Sequence, residues 1–555
     1  MTARMPRRTF LTRGAAVAGL AAAGTAAAGL LPDLSNEAGA LGRSNGPGRN
    51  GISHAVPSRG GALTYGTDSE VQGFDPTSAE YDETGYTYGR CVFDPLVATT
   101  ASGGWVPYLA ESVVPSNNYA TWTVTLRPNL QFHDGTPCDG AALLVNVHKQ
   151  ATSLLTGAAF AQFVSDYNQS GPLSVQINMT KPWVAFPYTL SSQVGYVAAP
   201  SMLNNPNGTD HPIGTGPFVY QDWVPNDHFT ATRNPDYWRP GYPYLDSITF
   251  KPIIDASARS DALQAGTIDF MVTDTPQTIL QYHGNRQWSY VDNDGPVPGG
   301  APGVNMIQLN VSQPPMDDPQ VRLALAKGYS QALASKILSF GVDTPVNSPF
   351  VPGSPYYSNT SYPTYDPVGA RKLVAAYEKR TGQPLSFTLI GVPDASVQRD
   401  IAWLQQQWQT VGIRVQLDTN QQNELIDNAV AGKYQACTWR QFGAVNPDLN
   451  YVFWAANTVN KNGLSLNIAR NSDQRIQNAL DVGRETTNPA TAARAYRSIG
   501  EYLAQDLPYL WLGRAVWAMV AATNVKNFDN PVGPAGQSLI GIDGGATWPT
   551  QFWMS

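Results

Sequence analysis

Two helix–glycine–strand units follow one another in the second half of the chain, and they constrain the fold more than any other feature. In VQRDIAWLQQQWQTVG the apolar residues Ile401, Leu404, Trp408 and Val411 recur along one helical face, and Gly412 stands where that helix should end. IRVQL then alternates Ile413, Val415 and Leu417 with a period of two, as a strand does. NELIDNAVAGKYQACTW repeats the order, with a helix closing near Gly432. Helix, glycine and strand in this order are a βαβ-type unit, so this half predicts an α/β lobe.

The first half is richer in strands and loops. TWTVTL places Trp122, Val124 and Leu126 on one face, and LSVQINM does the same with Leu173, Val175, Ile177 and Met179. After HDGTPCDG, Asp139 is positioned to cap a helix carrying Leu143, Leu144 and Val147. The 555 residues suffice for two to four domains, and 42% apolar with 14% charged residues is the composition of a globular protein. The net charge of −7, without basic runs in the body of the chain, argues against nucleic acid and anionic membrane surfaces as partners. Cys91, Cys138 and Cys437 are odd in number and include no CxxC pair, so neither a disulfide framework nor a zinc ribbon is indicated, and there is room for one disulfide.

PRRTFLTRGAAVAGLAAAGTAAAGLL sets two adjacent arginines before an uncharged Ala/Gly segment, the pattern of a twin-arginine export signal over residues 1–40. The segment is too short and too rich in alanine and glycine to suit a membrane anchor. No cysteine lies near the small residues at 38–40, so no lipid anchor is indicated, and the mature protein is expected outside the cytoplasm. Residues 41–61, rich in turn formers and poor in large apolar side chains, read as a disordered linker.

HPIGTGPFVY, residues 211–220, carries two glycines one residue apart, as phosphate-binding loops often do. Here Pro212 and Pro217 each remove an N–H donor, a strand-like segment follows, and no G-K-[ST] occurs anywhere in the chain. Gly214 and Gly216 therefore predict a close backbone crossing and no phosphate site.

Several segments in order, among them ALTYGTDSEVQGFDP, LRPNLQFHDGTP, PIGTGPFVYQDWVPNDHFTATRNPDYW, ALQAGTIDF and NMIQLNVSQPPMDDPQVRLALA, together resemble the family 5 extracellular solute-binding proteins, receptors of peptide- and nickel-type ABC importers. The resemblance spans roughly residues 62–520. It implies an α/β fold of two lobes, of the type II (cluster C-like) periplasmic-binding-protein kind, with an extra domain inserted in the first lobe. Residues 62–77, 205–300 and 521–555 are expected to form lobe I, 78–204 the insert and 301–520 lobe II. The GTGPF segment resembles the return from the insert to the first lobe. The family further implies a monomer that traps a small-molecule ligand between its lobes and delivers it to a membrane permease, with no cofactor and no catalysis.

For the ligand site the resemblance points to Glu70, in EVQGFDP, and to Trp439 and its neighbours in TWRQFGAVNPDLNYVFW. Tyr86 and Tyr88 are further candidates as stacking residues. Peptide-binding members carry an aspartate shortly after the tryptophan that holds the peptide's ammonium, followed by an acidic-proline pair. Here Arg440, Gln441, Phe442 and Gly443 follow Trp439, and Asn446-Pro447 stands in place of the pair. Burying an ammonium without a counter-charge costs several kcal/mol, so Asp448 or Glu70 would have to substitute, or the ligand is a sugar, a carboxylate gripped by Arg440, or another non-cationic solute. His54, His133, His148, His211, His228 and His283 show no paired metal-ligand spacing, which makes a nickel chelate a minor alternative. An exported hydrolase is the alternative of another class, but GYSQA and GLSLN each lack the second glycine of a nucleophile elbow.

Overall fold

The computed structural model describes residues 48–52, 56–153, 156–294, 303–441, 444–460 and 463–555. The twin-arginine leader expected over residues 1–40 lies outside them. The described chain builds three main sheets. The largest has eight strands in the order Arg49–Asn50, Ser289–Asp292, Ala518–Ala521, Phe270–Thr273, Ala62–Thr67, Ser247–Pro252, His228–Arg233 and Phe218–Val224. Ala62–Thr67 runs parallel to both of its neighbours, and the remaining pairs are antiparallel. A second sheet of five strands follows the order Arg414–Thr419, Ser386–Gly391, Ala436–Gln441, Val304–Leu309 and Tyr509–Arg514. Between the first strands of the large sheet and its return at Phe218, Ala110–Ser116, Thr121–Leu126, Ser174–Met179 and Val164–Gly171 form an antiparallel four-stranded sheet.

The helix–glycine–strand pattern produces the second sheet. Asp394 accepts hydrogen bonds from the Ser396 and Val397 amides and starts the Ala395–Thr410 helix, whose Ile401, Leu404 and Trp408 are fully buried. Gly412 ends the turn at φ +96°, and the chain re-enters the sheet as Arg414–Thr419, parallel to Ser386–Gly391. The Gln422–Ala431 helix ends the same way on Gly432, at φ +74°, before Ala436–Gln441 pairs parallel to the other edge of Ser386–Gly391.

In the first half the predicted strands form at Thr121–Leu126 and Ser174–Met179, and Asp139 caps the Gly140–Thr152 helix by accepting from the Ala141 and Ala142 amides. The paired glycines mark a crossing of backbone over backbone. A Cβ on Gly214 would lie 2.2 Å from the Val92 carbonyl oxygen, and one on Gly216 would lie 2.5 Å from the Val92 carbonyl carbon. The Gly216 amide donates to that same oxygen at 2.8 Å, and Phe218 then opens a strand of the large sheet.

Three sequence expectations need correction. Arg49 and Asn50, read as disordered linker, pair with Val291 and Tyr290, and the Asn50 side chain donates to the Asn285 and Trp288 carbonyls. Backbone pairing and this amide supply the order that apolar side chains do not. The Glu83–Val92 helix, placed in the insert by the expected boundary, packs on the large sheet through Tyr88, Phe229 and Phe250. Ala518–Ala521 belongs almost wholly to the span assigned to lobe II, yet it is an interior strand of the large sheet, fully buried. The chain therefore enters the second sheet after Asp292 and returns before Ala518, and Asn293 and Trp517 at these two passages bond each other: the Trp517 amide donates to Asn293 Oδ1 at 2.9 Å and the Asn293 amide to the Trp517 carbonyl at 3.0 Å.

Candidate functional site

The site begins with a helix start. In YDETGYTYGR, Asp82 caps the Glu83–Val92 helix by accepting from the Gly85 amide at 2.8 Å, which leaves Glu83 in the first turn. Helical spacing then sends Thr84, Thr87 and Tyr88 inward. Beside this helix start, Asp274 follows the buried Phe270–Thr273 strand and Asp68 follows Ala62–Thr67. From the other sheet the Ala436–Gln441 strand carries Arg440. Its guanidinium bonds Asp274 through Nη1 and Glu83 through Nη2, the latter at 3.1 Å, and lies 4.3 Å from the centre of the buried Trp517 ring.

These groups border a small pocket lined by Tyr65, Asp68, Glu83, Thr87, Val272 and Trp517. Burial pushes the Glu83 carboxyl up, against the pull of Arg440, and burial with the neighbouring Glu83 raises Asp82 to about 7. Burial opposes the Arg440 charge, but Asp274 and Glu83 more than offset it and hold the guanidinium above its ordinary range. A buried-edge, carboxylate-rich wall with an aromatic floor suits a ligand bearing a cationic group and some apolar surface.

Trp439 is half-buried between two apolar clusters, and its Nε1 donates to the side-chain oxygen of Gln441 at 2.8 Å. Phe442 lies outside the described residues. Arg440 is engaged by two carboxylates, so it is not a free grip for a ligand carboxylate. Tyr86 is half-buried and packs edge-on against Tyr81 at 5.8 Å.

The remaining candidates have other work. Tyr88 is 1% exposed and stacks on Phe250 at 4.2 Å, so it is core and not a stacking surface for ligand. Glu70 accepts from the Trp223 indole at 3.3 Å and from the Asn226 amide at 2.5 Å, holding the turn between two strands of the large sheet. Asp448, considered as a replacement for the missing acid, is 3% exposed and accepts from Arg484 Nε and Trp183 Nε1, each at 2.7 Å. The Arg484 guanidinium is in turn sandwiched among Phe163, Trp183 and Tyr451 at 4.0, 4.2 and 3.6 Å. Asp448 is thus neutralised and sealed. Asn446 in place of an acid caps the short turn that follows, accepting from the Asp448 amide at 3.0 Å. Cys91, Cys138 and Cys437 are all buried and free, so no disulfide joins them.

Residues 104–463 match the model of the bacterial extracellular solute-binding proteins, family 5, middle part. The chain belongs to this family. As a family 5 binding protein it captures solute outside the cytoplasm for the permease of an ABC importer, and no described helix is long and apolar enough to cross a membrane. It is similar to the glutathione-binding protein GsiB of Pectobacterium atrosepticum, 26% identical over 481 residues, which are 82% of this chain and 89% of that protein. In fold it resembles the oligopeptide-binding protein AppA of Bacillus subtilis, solved with a nonapeptide, at a TM-score of 0.77 and 20% identity over 90% of this chain and 100% of AppA. It also resembles AgaA of A. tumefaciens R10, solved with agropinic acid, at a TM-score of 0.77 and 21% identity over 89% of this chain and 99% of AgaA. These likenesses fix the two-lobed α/β fold, and the ligands of those proteins differ enough that the fold alone does not choose among them.

Proposed function

We propose that this solute-binding protein captures a short peptide or a peptide-like organic solute between its lobes, without converting it, and releases it to the permease as a monomer exported by the twin-arginine leader. The observation that carries the ligand class is the set of three carboxylates, Asp68, Glu83 and Asp274, gathered beside Trp517 in the first lobe and facing one guanidinium. Family members of peptide type place the counter-charge for an ammonium after the tryptophan of the second lobe, where this chain has arginine. Here the acids come from the opposite wall, and among the described residues they outnumber the cation that meets them. The name of GsiB and the peptide bound to AppA agree with this reading.

The test is mass spectrometry of solute released by denaturing the protein from its native host, joined to thermal shift with di- to hexapeptides, glutathione, oligosaccharides and nickel chelates. A bound ligand raises the melting point by mass action, about 2.7 kcal/mol of stabilisation at a hundredfold excess over Kd. The expected result is a released solute with a free ammonium group and a shift with peptides. A sugar or nickel chelate, with no response to peptides, overturns the ligand class, and turnover of a peptide by the pure protein overturns the non-catalytic reading.

A further inference from the structure

The Arg440 ion pairs have a geometry that goes beyond ligand choice. Arg440 stands on a strand of the second sheet, whereas Glu83 opens a helix packed on the first sheet and Asp274 directly follows a strand of it. The two prongs of one guanidinium therefore tie two separate elements of the first lobe to a single strand of the second. The Trp517 ring beneath it, 4.3 Å away, belongs to the passage between the lobes. The planar fork suits this arrangement as a lysine ammonium would not, because it meets two carboxylates at once while its face rests on an indole. The side chains of Arg440, Glu83 and Asp274 are 28%, 31% and 25% exposed, enough shelter for their attraction to resist screening by salt.

We infer that Arg440 is a built-in cationic occupant of the first-lobe carboxylate site, and that this occupancy latches the two lobes together with groups the chain itself supplies. Solute entry then requires Arg440 to leave Glu83 and Asp274, so the residue sets how readily the cleft opens as well as which charge the site prefers. Removing the side chain while keeping the two carboxylates converts the latch into a vacant site for a small guanidinium ion.

The experiment is small-angle X-ray scattering of protein stripped of solute by unfolding and refolding, comparing wild type with Arg440→Ala, followed by thermal melting of both with ethylguanidinium at millimolar concentration. The expected result is a larger radius of gyration for Arg440→Ala, and a rise in the melting point of the variant with ethylguanidinium that the wild type does not show, since the ion fills the vacated carboxylate site without tying it to the second lobe. Identical scattering from the two proteins overturns the latch, and a melting point of the variant that ethylguanidinium does not raise overturns the occupancy of the carboxylate site. Should Arg440→Ala fail to refold, the Glu83→Gln, Asp274→Asn double variant tests the same pairs with Arg440 retained, and an unchanged radius overturns the inference. Because the protein is free of solute throughout, the outcome is independent of whether the natural ligand is a peptide.

Discussion

His133, in the FHDGTP turn, is a single side chain whose protonation state is set by the crossing it supports. Its Nε2–H donates to the Gly216 carbonyl at 3.0 Å, while Nδ1 faces the Gly214 amide at 3.4 Å as an acceptor. A proton on Nδ1 would place donor against donor, and burial lowers the imidazole to about 4 against an ordinary value near 6.5. A depressed value means that the unfolded chain takes up the proton first as pH falls. His133 thus contributes its full stability above about pH 6.5 and loses about 1.4 kcal/mol per unit down to about pH 4. Urea unfolding at pH 7 and pH 5 is expected to show His133→Gln losing roughly 1–2 kcal/mol less than wild type over that step. Equal losses would mean that the imidazole is protonated in the folded state. At this scale the sequence was least legible. Tyr88 and Asp448 look as available as any exposed residue until their partners are known, and those partners come from distant stretches: Asp448 meets Arg484 and Trp183, which are 36 and 265 residues away. Glu83 and Asp274 escaped notice for the same reason, since Arg440 stands 357 and 166 residues from them.

Elements were legible where a local rule fixes them. Asp139, Gly412 and Gly432 end or begin helices by hydrogen bonding and left-handed backbone that need no distant partner, and Ile401, Leu404 and Trp408 are buried because the helical period puts them on one side. The Arg49–Asn50 strand was invisible because its order comes from pairing with Val291 and Tyr290 and not from its own composition. The glycine crossing lies between these cases. Its existence follows from the spacing, but its partner, the end of the Glu83–Val92 helix, does not. Gly214→Ala tests the crossing directly, since the new methyl carbon meets the Val92 carbonyl oxygen at 2.2 Å and the Phe93 ring at 2.4 Å. Neither strand nor helix end can retreat without breaking the Gly216 to Val92 hydrogen bond, so the expected cost is about 1–3 kcal/mol, read as a lowered midpoint in chemical denaturation. An unchanged midpoint would show that the two backbones are free to separate.

Across the whole molecule, a second set of contacts joins the four-stranded sheet to the lobe built on the five-stranded one. Trp183 donates to Asp448 at 2.7 Å, the Val184 amide donates to the Arg484 carbonyl at 2.9 Å, and Phe163 meets Tyr451 edge-on at 5.0 Å. None of these residues lines the cavity beside Trp517. If the lobes part when solute leaves, these contacts exist only in the closed state and contribute to affinity without touching ligand. A hydrogen bond to a charged group is worth about 1.5–3 kcal/mol, and 1.4 kcal/mol is tenfold in an equilibrium constant, so Trp183→Phe is expected to raise the Kd of the released solute at least about tenfold. The change should appear in the dissociation rate, because the open form that admits solute lacks the contact already. Calorimetric titration with stopped-flow release would read both quantities. An unchanged Kd with a lowered unfolding midpoint would place the four-stranded sheet on the same side of the hinge as the second lobe, leaving Arg440 as the contact that closing has to make.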